Sequence, residues 1–436
     1  MTKRHFSRRD VLRSAIASLP LFASARVLGR EGPGPNEKVN VAAIGLGGRC
    51  QGVTQMCLGI PALEIVAACD LFRPRVDSFL KTIGKGRNWK GYTDFLEMID
   101  KENLDGVMVE TTTHARAWVT CHAMIAGVDV YIEKPMALTV AEGRHVVQVA
   151  RKYGRVTQVG TQQRSMPINN WASDLVKNGA IGKVKTVLAP NFIGPIRWVD
   201  QPAQPLPEGG SDDWWDAWTN QVVFRPYHVQ LDRNWKPYWD YDGGGKSFGV
   251  TGWGTHSYDQ VNRALGTDDT GPVEVVLEEP VAVSKSGRFE GPRAKVRMKF
   301  VGGTELRLHL DDDEGPGLGA VFVGDGGKIE INRNRVASNP VEIVETADNP
   351  GPEQKPQTQS HVEDWIENIK TRGRCTADIE IGQRSTTLCC LVNIARDIGR
   401  VGEVLKWDPQ QERFTNCDEG NRMLSRPRRK GYKLPV

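Results

Sequence analysis

No apolar run in this 436-residue chain is long enough to cross a bilayer, which excludes a helical membrane span. Eight cysteines are present but no Cys-x-x-Cys pair, so neither a zinc site nor a dithiol redox site is expected and no metal is assigned. Cys50, Cys57, Cys69 and Cys121 fall in apolar contexts and Cys389-Cys390 in a helical pattern, which points to buried free thiols rather than disulfides. A surplus of charge is also missing. Once residues 1–25 are set aside, basic and acidic residues are equal in number, and nothing supports binding to nucleic acid or to a membrane surface. What remains is a globular composition, 39% hydrophobic and 25% charged, in a chain long enough for two domains.

Residues 1–25 are a separate matter. Ser7-Arg8-Arg9-Asp10-Val11-Leu12-Arg13 puts a twin arginine ahead of a modest apolar stretch, Ala15 to Phe22. Ala23-Ser24-Ala25 then supplies the small residues a signal peptidase reads. The segment resembles a twin-arginine export signal, which predicts passage through the Tat translocase in the folded state and a periplasmic location. The expected division of the chain is a signal at 1–25, a linker at 26–37, a nucleotide-binding domain at 38–160 and a substrate and oligomerisation domain at 161–436.

From Val39 to Val159 short apolar strands alternate with helical stretches. The strands are read at 39–44, 64–69, 106–110, 128–132 and 156–159, with helices such as Trp118 to Ala126 and Val140 to Tyr153 between them. This is the pattern of a doubly wound parallel sheet covered on both faces, an α/β Rossmann arrangement. After about residue 160 the period changes to two. Residues 295–300 and 305–310 alternate polar and apolar around Gly302-Gly303, and a second turn at 324–327 leads into Lys328-Ile329-Glu330-Ile331. The second domain is therefore expected to be α+β, with a large open, mainly antiparallel sheet. Two late helical stripes, one through Val362, Trp365, Ile366 and Ile369, the other through Leu388, Leu391, Ala395 and Ile398, are expected to cover it. Residues 195–245 hold six of the twelve tryptophans, broken up by prolines and glycines. Their flat faces either stack on sugar rings or bury a long loop that has few other hydrophobes.

The chemistry concentrates at strand ends. Gly45-Leu46-Gly47-Gly48-Arg49-Cys50-Gln51-Gly52 follows the first strand and opens a helix, where glycines let a pyrophosphate approach the backbone N–H groups. Cys50 replaces the third glycine of the usual fingerprint. Asp70 ends the second strand, twenty-five residues past Gly45, in position to accept from ribose hydroxyls and so to favour NAD over NADP. Arg75, nearby, would stack on adenine or tolerate a 2′-phosphate. Thr111-Thr112-Thr113-His114 and Glu133-Lys134-Pro135 follow two further strands. A lysine at such a position can hold and polarise a substrate oxygen, because its compact ammonium loses pKa readily when buried. Downstream, Gly243-Gly244-Gly245 leads to Gly252-Trp253-Gly254-Thr255-His256-Ser257-Tyr258-Asp259.

The glycine turn, Asp70, Glu133-Lys134-Pro135, the crossing Gln158-Val159-Gly160-Thr161-Gln162-Gln163-Arg164 and the glycine run before His256 together resemble the Gfo/Idh/MocA oxidoreductases. The resemblance implies a nicotinamide cofactor (NAD, with NADP possible), a sugar or polyol substrate and a homo-oligomer built on the open sheet. It makes Lys134 the substrate-polarising lysine and His256 the candidate acid/base. The cofactor contacts it implies are Gly45, Gly47, Gly48, Arg49, Asp70, Arg75, Thr111, His114, Glu133, Lys134 and Gln162. The substrate contacts are Arg164, Trp235, Trp239, Asp240, Tyr241 and His256. Two departures stand out. The family's Asp four residues before the histidine is Gly252 here, leaving Asp240, Tyr241 or Tyr258 as substitutes. The second histidine of its His-x-His is Arg116, which faces either an anionic substrate group or solvent.

The expected activity is hydride transfer between the cofactor and a carbinol or carbonyl carbon. The alternative is cleavage of a glycoside through a transient keto-sugar. In either case an exported enzyme would hold its cofactor tightly and recycle it. A sugar or nucleotide sensor on the same fold would have no need to retain both Lys134 and His256.

Overall fold

A computed structural model describes residues 38–245, 248–286, 289–311 and 315–436; the twin-arginine segment and the 26–37 linker lie outside them. The first half contributes β1 (Val39–Ile44), β2 (Leu63–Cys69), β3 (Lys90–Tyr92), β4 (Gly106–Val109), β5 (Asp129–Ile132) and β6 (Thr157–Val159). They form one parallel sheet in the order β3-β2-β1-β4-β5-β6. β4 and β5 are buried at every position, as a sheet with helices on both faces requires. β3 escaped the sequence reading because three residues, Lys-Gly-Tyr, are too few to show a period. Strand order reverses between β1 and β4, and the crevice beyond their carboxyl ends is where such sheets take ligands.

The second half contributes β7 (Val184–Pro190), β8 (Pro272–Leu277), β9 (Ala282–Ser286), β10 (Phe289–Arg293), β11 (Val296–Phe300), β12 (Glu305–Leu310), β13 (Ala320–Gly324), β14 (Gly327–Ile331), β15 (Val336–Asn339), β16 (Val404–Asp408) and β17 (Arg413–Phe414). β9 and β10 pair by themselves, and the other nine order as β15-β14-β13-β7-β12-β11-β8-β16-β17. The sheet is mainly antiparallel, with β7 and β12 the parallel pair. Alternation sets the buried face: Val296, Met298, Phe300, Leu306 and Leu308 point in, while Arg297, Lys299 and Arg307 point out. The helices Pro167–Lys177, Trp253–Leu265 and Ile379–Ile398 supply the side chains that meet this face.

The two late stripes part company. Ile379–Ile398 covers the large sheet, whereas Gln357–Thr371 packs on the first half. Its Val362, Trp365, Ile366 and Ile369 share a core with Val39, Val41 and Tyr131. Gly106 makes room for the indole: a Cβ there would lie 2.8 Å from Trp365 Cζ2.

Residues 195–245 are not a bare loop. They carry the helices Asp212–Thr219 and Val229–Asn234 and a small core of their own, in which Trp214, Trp215, Trp218, Tyr227, Leu231, Tyr238 and Tyr241 gather around Phe72 from the first half. Trp215 and Trp218 stack with ring centroids 4.6 Å apart. The last dozen residues strap this segment down. Arg426 donates to Trp239 O at 2.6 Å, Arg429 to Asn220 O at 2.8 Å, and Arg428 pairs with Glu142 at 2.5 Å, while His145 Nε2 meets Pro435 O at 2.8 Å.

Candidate active site

At the end of β1 the chain turns sharply at Gly45, where φ is +88° and a Cβ would lie 2.8 Å from the backbone of Thr111. Only glycine fits between the two strand ends. Gly47 caps the helix Gly48–Cys57 without a side-chain hydrogen bond, and a Cβ on Gly47 or Gly48 would meet nothing within 4 Å. The first-turn N–H groups therefore face open space with the positive end of the helix behind them, the arrangement a dinucleotide pyrophosphate needs. Cys50, in the third glycine's place, is buried and packs inward.

Asp70 lies over this turn. It accepts from Leu46 N and Phe72 N, each at 2.9 Å, and pairs with Arg75 at 3.0 Å. Arg75 also lies 3.6 Å from Asp232. A ribose hydroxyl would share an occupied carboxylate, and the neighbouring guanidinium offsets its repulsion of a 2′-phosphate.

Glu133, Lys134 and Gln162 meet at the ends of β5 and β6. Glu133 is buried; it accepts from Arg49 Nε at 2.7 Å, from Lys134 N at 3.0 Å and from Gln162 Nε2 at 3.3 Å. Burial pushes its carboxyl upward, but Arg49, Lys134 and Arg116 outweigh this and hold it below the usual range. Gly160 allows the approach, since a Cβ there would lie 2.9 Å from Glu133 Oε1. Lys134 reaches across to the second half, its Nζ donating to Gly252 O at 2.9 Å and Thr251 O at 3.4 Å. Burial pushes this ammonium down to about 8, against the opposing pull of Glu133 and Asp242.

His256 stands on the first turn of Trp253–Leu265, directly after Gly252. It is buried and its Nδ1 has no partner. Burial, then the positive charges of Lys134 and Arg333, hold its pKa well below the ordinary imidazole range, so it is a neutral base at physiological pH.

The carboxylate missing at Gly252 is supplied by Asp242. It is buried, accepts from the hydroxyls of Thr113 and Thr251, and is one of the two charges that hold up the pKa of Lys134. The glycines after it shape the turn: Gly243 and Gly244 have φ of 100° and 94°, and Gly245 makes room for the carboxylate, since a Cβ there would fall 2.0 Å from Asp242 Oδ2. The three substitutes read from the sequence are occupied elsewhere. Asp240 pairs with Arg225 at 2.8 Å, Tyr241 is buried edge-on to His114, and Tyr258 packs against Phe192 in the large core. The run of glycines was the available signal, and it pointed to a tightly wrapped neighbour.

Several other expected ligand contacts are spent on structure. Arg164 is buried between Asp259 and Asp268, at 2.8 and 2.6 Å, and so ties the crossing after β6 to the helix that carries His256. His114 meets Trp218 O at 2.8 Å and burial lowers its pKa to about 4. Trp239 has the guanidiniums of Arg197 and Arg426 at 4.4 and 4.6 Å from its ring centroid, so its ring is engaged by cations. Arg116 does not face solvent; it is buried and donates to the carbonyls of Thr111 and Pro135, joining the loops after β4 and β5, with its Nε left without a partner. Thr111 lines the β1–β4 crevice through its backbone, and Trp235 is half-buried beside Lys236. All eight cysteines are free, and all but Cys390 are buried.

Comparison with known proteins agrees with this geometry. Residues 39–161 match the Gfo/Idh/MocA model described as "Oxidoreductase family, NAD-binding Rossmann fold", and residues 174–434 match "Oxidoreductase family, C-terminal alpha/beta domain". Inositol 2-dehydrogenase of Salmonella typhimurium is 26% identical over 147 residues, 34% of this chain and 43% of that protein. A glycosyl hydrolase family 109 protein of Bacteroides thetaiotaomicron is 27% identical over 168 residues, 34% of this chain and 33% of that one. These alignments therefore span less than half of each relative. Among solved structures, aldose-aldose oxidoreductase of Caulobacter crescentus, complexed with glycerol, shares the fold with a TM-score of 0.59 at 20% identity, covering 85% of this chain and 99% of that one.

Proposed function

Because the chain belongs to the Gfo/Idh/MocA oxidoreductase family and carries its NAD-binding Rossmann fold, we propose that it moves a hydride between a nicotinamide cofactor and a carbinol or carbonyl carbon of a sugar or polyol derivative. One observation carries the reading: the half-buried amine of Lys134, at the end of β5, reaches across to the carbonyls of Thr251 and Gly252, where the helix that carries the buried His256 begins, and its pKa is lowered. A dinucleotide held with its pyrophosphate on the Gly45–Gly48 turn would supply the hydride acceptor or donor. In oxidation, neutral Lys134 takes the hydroxyl proton as the C–H hydride leaves; in reduction, its ammonium polarises the carbonyl and gives that proton back. Glu133, kept ionised by Arg49, and Asp242 set the charge around the amine. His256 stands ready to accept a proton passed from it. Replacing Lys134 with Met should lower kcat/KM about 100-fold or more with cofactor affinity retained. Turnover that survives the change nearly intact would remove Lys134 from the chemistry.

The family 109 relatives favour a second reading, in which the oxidation is transient. A keto group acidifies the adjacent C–H, elimination breaks the glycosidic bond, and the hydride returns to the product. Purified enzyme given a glycoside and no added cofactor distinguishes the two: aglycone release without net NADH supports the second. The twin arginine at Arg8-Arg9 supports export to the periplasm with a tightly held NAD, and the outward-facing side of the large sheet supports a homo-oligomer. Fractionation of cells and mass spectrometry of the released cofactor test the first, and sedimentation the second. The division into a nucleotide half at 38–160 and a substrate half from 161 is supported by the end of the parallel sheet at Val159.

A further inference from the structure

The cleft contains a cation that hydride transfer does not use. Arg333 sits at the tip of the β14–β15 hairpin, where Asn332 N donates to Arg335 O at 2.9 Å and closes a two-residue turn. Arg333 and Asn334 both have positive φ, 28° and 59°. Turns of this shape favour Asn, Asp or Gly, and a long side chain at the first position is disfavoured. The turn is nonetheless pinned in place. Arg333 N donates to Gln163 Oε1 at 3.2 Å, Asn334 N to Asn169 Oδ1 at 2.9 Å, and Asn334 exchanges hydrogen bonds with the backbone of Glu353 at 3.1 and 2.7 Å. Gln163 adjoins Gln162, whose amide meets Glu133, so the hairpin tip rests against the strand ends that present Lys134.

The side chain is the anomaly. Arg333 Nε is buried with no partner, and its guanidinium makes no hydrogen bond or ion pair among the described residues. The other guanidiniums of the cleft all have partners: Arg49 has Glu133, Arg164 has two carboxylates, and Arg116 has two carbonyls, although its Nε is buried without one. Glu133 and Asp242 are engaged by Arg49 and by two threonines, so neither is left for Arg333. Arg333 is close enough to His256 to help hold the imidazole neutral. Arg333 as a whole is half-buried, and a strained backbone that holds an unpaired, partly desolvated cation near a reaction centre costs stability unless an anion arrives there.

Resting on the hydride-transfer reading of this site, we propose that Arg333 is a specificity residue and that the substrate is a sugar acid whose carboxylate is gripped by its guanidinium fork. The glycine turn and its helix already serve the cofactor phosphates from the nucleotide half, which leaves Arg333, on the other half, to the substrate.

The test uses the full chain saturated with NAD and matched pairs of neutral and acidic sugars, glucose with glucuronate and galactose with galacturonate. Binding is read by calorimetry and turnover by nicotinamide absorbance. The wild type should prefer the acid of at least one pair. Arg333→Gln should reduce that preference about tenfold or more, and Arg333→Lys should recover part of it. Melting temperature and NADH affinity report on folding and on the cofactor. A wild type that prefers the neutral sugars or binds no acid overturns the proposal. So does an Arg333→Gln variant that loses NADH affinity by the same factor, which would place the guanidinium on a cofactor phosphate. Acids that bind in an Arg333-dependent way without any nicotinamide reduction would leave Arg333 standing and remove the hydride reading instead.

Discussion

At the scale of single residues, the site is a set of buried charges that adjust one another. Lys134 titrates near 8 because burial lowers it while Glu133 and Asp242 hold it up. Oxidation needs the neutral amine, so kcat/KM for oxidation should rise with pH to a plateau above about 8, and reduction should fall across the same limb. Asp242→Asn removes one of the charges that favour the ammonium. The limb should then move to lower pH, by about one unit, in a stopped-flow or steady-state profile. Glu110 is a different case. Both of its oxygens are buried without a partner, and burial, then Glu133, raises its pKa to about 8. The folded protein keeps a proton that the unfolded chain has released between about pH 4.5 and 8, so this group makes stability fall as pH rises through that window. Glu110→Gln should therefore melt like the wild type near pH 4 and above it at pH 8.5, with a gap on the order of a few kcal/mol. Lys134 and the glycine turn were legible in the sequence because their surroundings are local. Asp242 was not, because its burial against Thr113 depends on a contact 129 residues away.

At the scale of elements, the Gly243–Gly245 run and the helix after it form one device. Gly245→Ala would put a methyl 2.0 Å from Asp242 Oδ2 and force the carboxylate or the backbone aside. Activity should drop tenfold or more and stability by about 1–3 kcal/mol, read by kinetics and denaturant melts. Period-two strands and helical stripes were readable because each reports its own burial. Destinations were not: the stripe through Val362 and Trp365 is equally apolar whichever sheet it meets, and what sends it to the first half is the gap beside Gly106. The tryptophans follow the same logic. An indole pattern says that something covers the rings, and here Phe72 and the segment's own tyrosines do so.

At the scale of the molecule, the two halves are joined by Lys134 at the cleft, by Phe72 in the tryptophan core and by the C-terminal strap. Nothing in the sequence of residues 425–436 announces a structural role, since a run of arginines and lysines most simply faces solvent. The structure uses three of those arginines as clamps. Deleting residues 425–436 leaves Glu142 buried without its cation, and should destabilise the protein by about 3–5 kcal/mol and open residues 195–245 to limited proteolysis.

Arg428 follows its partner Glu142 by 286 residues. On a ribosome that clamp cannot form until Arg428 has emerged, and the core of the nucleotide-binding half itself waits for Val362, Trp365 and Ile366. Both halves are therefore finished by segments made after residue 356, rather than in the order in which their strands are made.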